Sequence, residues 1–303
     1  MSVLRLGTRQ SPLALVQAKR VMQCIQTQFP NTAVQIVPIQ TQGDIDKTSP
    51  LSELGGKGVF VTALQEALLK EEIDVAVHSL KDMTSLSPCG LAFMAFLRPE
   101  SIKDVLVLAT PGTGFSDLKR GATLATGSMR REALITHLRP DVTVVPIRGN
   151  IHTRLRTVEE QGYDGVITSE SALIRLNISP AYAVSLDPQT FIPAPGQGVI
   201  VVEGREKDRD IREICDAISD PHQAVLSSLE WVFLREIGLD CGYPLGMYSR
   251  LTPSHFQTQL MLKDLERDKT YLEEHAFTRE NAQQGLQELA RKFKGMLTTS
   301  EQA

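Results

Sequence analysis

Apolar residues recur along the chain with two different periods. A short apolar run at 3–6 reads as a buried strand. It leads into Gly7-Thr8-Arg9-Gln10-Ser11-Pro12, where Ser11 suits an N-cap and Pro12 the first helical position. Ala14, Ala18, Val21, Met22, Ile25 and Phe29 then share one helical face. A strand over 34–39, a helix over 59–70 and a strand over 73–77 follow. This alternation predicts an α/β fold with a mainly parallel sheet. Such sheets bind ligands beyond the carboxyl ends of their strands, and segments 7–11 and 78–82 fall at two such ends. The polar stretch between Thr41 and Gly58 has neither period and reads as a lid or a disordered flap.

A second alternating set begins near Asp104. Strands are expected at 105–109, 122–125, 142–147 and 165–168. Helices are expected up to Leu138 with Ser128 as N-cap, over 151–160 and over 169–176. After the turn Pro193-Ala194-Pro195-Gly196-Gln197-Gly198, the apolar run 199–202 reads as a buried strand. Its return to the first sheet would make that domain discontinuous. Helices over 205–218 and 223–236 come next. Beyond Cys241 the pattern changes to strands at 248–251 and 257–262. A last helix carries Leu286, Leu289, Phe293, Met296 and Leu297 on one stripe, a core-packing pattern in a small α+β domain.

Composition narrows the class. The chain has 303 residues, 42% of them hydrophobic and 22% charged, as in an ordinary globular protein of two or three domains. The N-terminus carries Arg5 and Arg9 without a preceding apolar run, so no secretory signal is expected. No apolar stretch approaches the ~20 residues that span a bilayer. Cys24, Cys89, Cys215 and Cys241 are far apart, so neither structural zinc nor a disulfide framework is expected, and a reducing cytoplasm fits best. The net charge is -4, yet 119–156 holds eight Lys or Arg against Glu132 and Asp141. One basic segment in an acidic chain fits a small polyanionic ligand better than long nucleic acid, while a solvated charged face stays open on charge alone.

Arginines gather where helices start. Arg9 precedes one, Arg130 and Arg131 sit in the first turn of another, and Arg148 precedes a third that contains Arg154 and Arg156. Exposed N–H groups and guanidinium forks bind carboxylates or phosphates. Cations in a first turn also oppose the helix dipole, so a purely structural role has to account for an unfavourable placement. Val77-His78-Ser79-Leu80-Lys81-Asp82 ends a buried strand with packed polar groups. A carboxylate there is either a surface partner of Lys81 or a stabiliser of a reaction cation. Cys241 precedes Gly242-Tyr243-Pro244 at a turn; on its setting alone it reads as an inert cysteine.

Taken together, the segments resemble the porphobilinogen deaminase (hydroxymethylbilane synthase) family over most of the chain. The resemblance rests on residues 8–15, Thr41-Gln42-Gly43-Asp44, Gly55-Gly56-Lys57-Gly58, residues 74–82, Ser128-Met129-Arg130-Arg131, Arg148-Gly149-Asn150 with Thr153-Arg154-Leu155, residues 193–198, and Cys241 with Pro244 and Gly246. It implies two α/β domains similar to periplasmic binding proteins, with the active cleft between them, plus a small α+β C-terminal domain. The expected boundaries are 1–98 with 199–219, then 103–194, then 221–303. It implies a transferase of tetrapyrrole and heme biosynthesis, cytoplasmic and monomeric, without nucleic-acid or membrane partners and without a metal. Its dipyrromethane cofactor is a thioether of Cys241. Four porphobilinogen units are condensed onto this primer with loss of ammonia, and hydrolysis releases hydroxymethylbilane. The family's catalytic aspartate maps to Asp82. Its binders of cofactor and substrate map to Arg9, Ser11, Lys81, Thr126, Ser128, Arg130, Arg131, Arg148, Asn150, Arg154, Arg175 and Gln197.

The chain departs from that pattern in places. Gly127 stands where the family has serine, Asp240 precedes Cys241 in place of glycine, and Leu226 and Trp231 replace arginines. Residues 98–105 replace a shorter Arg-Asp-Pro-Arg-Asp-Ala, and Glu170 is expected to put an acid near Arg175. These departures bear on rate and chain length. They leave two alternatives to a working synthase: a divergent relative with altered turnover, and a non-catalytic binder of small polycarboxylates.

Overall fold

A computed structural model describes residues 3–41, 58, 61–112, 114–239 and 242–298. In chain order the first elements are β1 (Leu4–Arg9), α1 (Pro12–Gln28), β2 (Val34–Ile39), α2 (Thr62–Leu69), β3 (Val75–Ser79), a 3-10 turn at Leu80–Asp82, and β4 (Leu91–Leu97). Then come β5 (Asp104–Leu108), β6 (Thr123–Thr126), α3 (Met129–Leu138), β7 (Thr143–Pro146), α4 (Ile151–Gln161), β8 (Gly165–Ser169), α5 (Glu170–Leu176) and β9 (Ala183–Ser185). The chain continues through β10 (Ile200–Arg205), α6 (Arg209–Ile218), α7 (Pro221–Ile237), β11 (Leu245–Leu251), β12 (His255–Asp264), β13 (Lys269–Thr278) and α8 (Ala282–Thr298).

The fold is two α/β sheet-and-helix units with a small α+β unit. The first sheet has the order β2-β1-β3-β10-β4 and the second β7-β6-β8-β5-β9. Both follow one plan. Four strands point one way, and one, β10 or β5, runs against both its neighbours. The sheets are mainly parallel in strand direction, as expected, with one reversed strand that the expectation did not include. The register gives the reason. Ile200, which opens β10, pairs with Ser79 at the end of β3, and Asp104, which opens β5, pairs with Ser169 at the end of β8. Each crossover between the sheets delivers its strand at the carboxyl ends of the parallel strands, so that strand must run backwards.

Local sequence explains the helix starts. Ser11 caps α1 by accepting from the Ala14 N–H, and Pro12 fills the first turn, where its missing N–H costs nothing. Asn150 caps α4 in the same way, and Gly162 ends it with φ 65. Leu6, Val21, Ile25, Val77 and Val202 pack between the first sheet and its helices. Full burial of such a side chain stabilises by about 2 kcal/mol. The C-terminal unit closes around Phe233, Phe256 and Phe293. No helix among the described residues is long and apolar enough to cross a membrane.

Candidate functional site

The ends of β1 and β3 build one wall of the site. Arg9, Ser11, Gln17, Ser79 and Asp82 line a small cavity of about 60 Å³. Gln17 Nε2 donates to Ser79 Oγ at 2.9 Å, tying α1 to the end of β3. The 3-10 turn then turns the chain so that Lys81 and Asp82 follow directly on the strand. Lys81 Nζ donates to Gln197 Oε1 at 3.4 Å. Burial pulls the Lys81 ammonium down to about 8, assisted by Arg131 and opposed by Asp82.

The opposite wall comes from the second sheet. Thr126 Oγ1 accepts from the Ser128 N–H at 3.3 Å, while the Ser128 side chain makes no capping bond and α3 begins at Met129. Arg130 and Arg131 are both buried, and Asp104 explains how. Arg130 Nη1 lies 2.8 Å from Asp104 Oδ2 and donates to Ile192 O at 2.7 Å. Arg131 reaches Asp104 Oδ1 through Nε at 2.9 Å and Nη2 at 2.8 Å. Burial works to raise the Asp104 carboxyl, but the two arginines and Lys81 outweigh it and hold it at about 2. This acid offsets the unfavourable first-turn position of the two cations. Sequence reasoning missed it, because an acid opening a strand carries no local signal of partners 26 and 27 residues on. Gln197 joins the walls: its Nε2 donates to Asp104 Oδ1 at 3.1 Å and to Ile102 O at 2.9 Å.

Arg148, Asn150 and Arg154 complete the basic wall. The Asn150 Oδ1 caps α4 by accepting from the Thr153 N–H and hydroxyl. Arg154 Nε donates to Gly149 O at 2.8 Å. Burial, then Arg131 and Arg148, pulls Arg154 down to about 10, while Asp82 pulls it back up. Arg154 thus senses two like charges and the opposed aspartate of the other wall. One guanidinium nitrogen of Arg148 and the Nε of Arg130 are buried without a hydrogen bond. Crowded cations with unfilled donors suit a ligand with several carboxylates.

Two departures are clarified here. A Cβ on Gly127 would lie 2.6 Å from Ile147 O, so the family's serine does not fit this backbone. Arg175 does not meet Glu170. Its fork grips Glu100, with Nη2 to Oε2 at 2.7 Å and Nε to Oε2 at 3.1 Å. Glu170 instead accepts from Ser101 and Ser185. Glu170 thus stands near Arg175 as expected, but through Ser101 beside Glu100 and not as its ion-pair partner. Cys241, the 41–58 stretch apart from its ends, and Asp240 lie outside the described residues.

The comparisons with known proteins decide the family. A family model described as "Porphobilinogen deaminase, dipyromethane cofactor binding domain" matches residues 4–213. The chain belongs to the porphobilinogen deaminase family. The family's member from Syntrophotalea carbinolica is 41% identical over 249 residues, covering 82% of this chain and 78% of that protein. Those from Limosilactobacillus reuteri and Syntrophobacter fumaroxidans are 39% and 36% identical, covering 79% and 89% of this chain and 79% and 87% of theirs. Among solved structures, a probable amino-acid ABC transporter extracellular-binding protein from Bacillus subtilis aligns with a TM-score of 0.44 at 12% identity. That alignment covers 76% of this chain and 94% of that one. The dipyrromethane-binding domain named by the family model contains both walls of the site.

One deaminase-family motif rests on a buried acid that sequence reasoning left without a role. Glu230 of α7 accepts the Gly196 N–H at 2.9 Å and so holds the 193–198 turn. Burial pushes its carboxyl up to about 7, against the pull of hydrogen bonds from Ser249 and Gly196. The folded value lies above the unfolded 4.5, so stability is full below that pH and falls as pH rises toward about 7. Glu230→Gln cannot ionise and is expected to abolish this fall, worth roughly 3 kcal/mol. Chemical denaturation across that window checks it. A wild-type profile that stays flat would show that Glu230 does not titrate on folding.

Proposed function

We propose that the chain is a hydroxymethylbilane synthase that condenses porphobilinogen on a dipyrromethane primer held by Cys241. The observation that carries the reading is the electrostatic setting of Arg154. Arg131 and Arg148 crowd it, and Asp82 of the other wall opposes them. A substrate pyrrole with two carboxylate arms and a ring N–H matches both halves of that setting.

The residues fit the cofactor by the same chemistry. The unfilled donors on Arg148 and Arg130 call for acceptors, and the dipyrromethane brings carboxylates. Ser128, Arg148, Arg154 and the unfilled Nε of Arg130 would hold them, while Arg131, whose Nε and Nη2 go to Asp104 and whose Nη1 goes to Ile167 O, would act through its charge. Thr126 and Asn150 position that wall, while Gln197 and Lys81 link it to the Asp82 side. When bound, the primer supplies the free α-carbon that receives each new pyrrole. Arg9 and Ser11 stand beside Asp82 in the cavity and would orient an incoming substrate. The Asp82 carboxylate would hold the pyrrole N–H and stabilise the positive charge that develops as ammonia leaves, in a site where water screens it poorly.

The proposal includes domain boundaries at 1–98 with 199–219, 103–194 and 221–303; the pairing of β10 with β3 and β4 supports the first. It also includes a cytoplasmic monomer that handles porphobilinogen and linear oligopyrroles. The test is to give the purified chain porphobilinogen, after offering product to any apo preparation. Hydroxymethylbilane and ammonia are expected in a ratio of about one to four, the stoichiometry of joining that many aminomethyl pyrroles. Tight binding of the pyrrole without ammonia release would instead make the chain a non-catalytic binder.

A further inference from the structure

The two connections between the sheets, 98–103 and 186–199, run side by side. A Cβ on Gly198 would lie 2.2 Å from Ser101 O, so the backbones touch there and φ at Gly198 is +83. Glu100 sits at this crossing with its side chain 16% exposed. Its carboxylate is gripped from both sides. Arg175 of α5, 5% exposed, reaches it from the second unit and also donates to Gly198 O. Arg20 of α1 reaches it from the first unit. Next to it Ser101 donates to Glu170, also on α5. The helices α1 and α5 pack on each other at this place. Two segments that depart from the family's pattern, 98–105 and Glu170, thus meet in one clasp.

We propose that Glu100 is a positioning residue that latches the hinge between the two α/β units, and that Arg175 serves this clasp instead of a substrate carboxylate. The physical case is one of competition. A guanidinium already engaged by a half-buried carboxylate through two N–H groups, and by a backbone carbonyl, has few donors left. Freeing it would leave the half-buried Glu100 carboxylate with Arg20 as its remaining guanidinium partner, which is unfavourable. Asp82 belongs to the first unit and Arg131, Arg148 and Arg154 to the second. The angle at this hinge therefore sets how far the aspartate stands from the cations it works with.

The inference rests on the synthase reading for its kinetic arm alone. Hydrogen–deuterium exchange of the intact protein without substrate tests the latch. Glu100→Gln and Arg175→Gln should each speed exchange in 98–104 and 196–200 by about tenfold, the scale of one charge-assisted contact. The double variant should be no faster than either single, and Glu100→Asp should restore most of the protection. Unchanged exchange in a folded Glu100→Gln would overturn the latch whether or not the chain turns over. In the kinetic arm, Glu100→Gln should lower kcat as much as Arg175→Gln and leave KM for porphobilinogen near the wild-type value. A rise in KM of tenfold or more confined to Arg175→Gln would return Arg175 to substrate binding and refute its assignment to the clasp.

Discussion

Asp82→Asn is expected to fold, to keep its primer and to lose about two to three orders of magnitude in turnover, the scale seen when one electrostatic stabiliser of a transition state is removed. The side chain ends a 3-10 turn behind a buried strand, and it lines the same cavity as Arg9 and Ser11. Asparagine keeps the size and one acceptor oxygen but removes the charge that offsets a developing pyrrole cation. Its loss also removes from Lys81 and Arg154 one carboxylate that favours their charged forms, leaving Lys81 with Asp104. Asp82→Glu keeps the charge and moves it by one methylene, a displacement of about 1 Å that by itself can cost on the order of a hundredfold. The aspartate should therefore rank above glutamate, and glutamate above asparagine. Product formation gives the rates, and intact mass shows enzyme–substrate intermediates accumulating in the slow variants. An Asn variant that makes hydroxymethylbilane at the wild-type rate would reduce Asp82 to a structural partner of Lys81.

Cys241→Ser should abolish product formation altogether. A thiolate is a soft, strong nucleophile and a free cysteine carries a few per cent of it at neutral pH, whereas a serine hydroxyl stays protonated. The serine variant should therefore leave the primer unattached, and without a primer the carboxylate-binding wall has nothing to elongate. Intact mass settles the matter directly. Wild type should be heavier than the variant by two pyrrole units as well as by the change of side chain. Masses that differ by the side-chain change alone, after product has been offered to both, would move the primer elsewhere or remove it from the mechanism.

Much of the scaffold was legible because burial imposes a period. The α1 stripe and its Ser11-Pro12 start were readable from the sequence, and so were the helices beginning near 129 and 151, since apolar faces are local properties; the expected Ser128 cap makes no side-chain bond, and the Asn150 cap was not read. β4 was not anticipated. Its Leu-Ala-Phe-Met-Ala-Phe-Leu run is apolar throughout, which marks a buried segment but does not by periodicity separate a strand from a helix. β13 was missed for the opposite reason, since charged residues interrupt an edge strand exposed on alternate positions. The arginines of the site were visible as a cluster, but their neutralising acids were not. Asp104 and Glu100 meet partners from other elements, and only the folded chain shows that Arg130 and Arg131 share one carboxylate while Arg175 takes another.

The strand order has a consequence for how the chain is made. The second sheet is complete once residue 185 has been synthesised, because β5 to β9 are contiguous. The first sheet lacks the strand between β3 and β4 until β10 emerges, more than a hundred residues after the partners it joins. Pairings that distant in sequence are slow to form. The unit whose synthesis begins first is therefore finished last, and β3 and β4 leave the ribosome with unpaired edges that a chaperone would recognise.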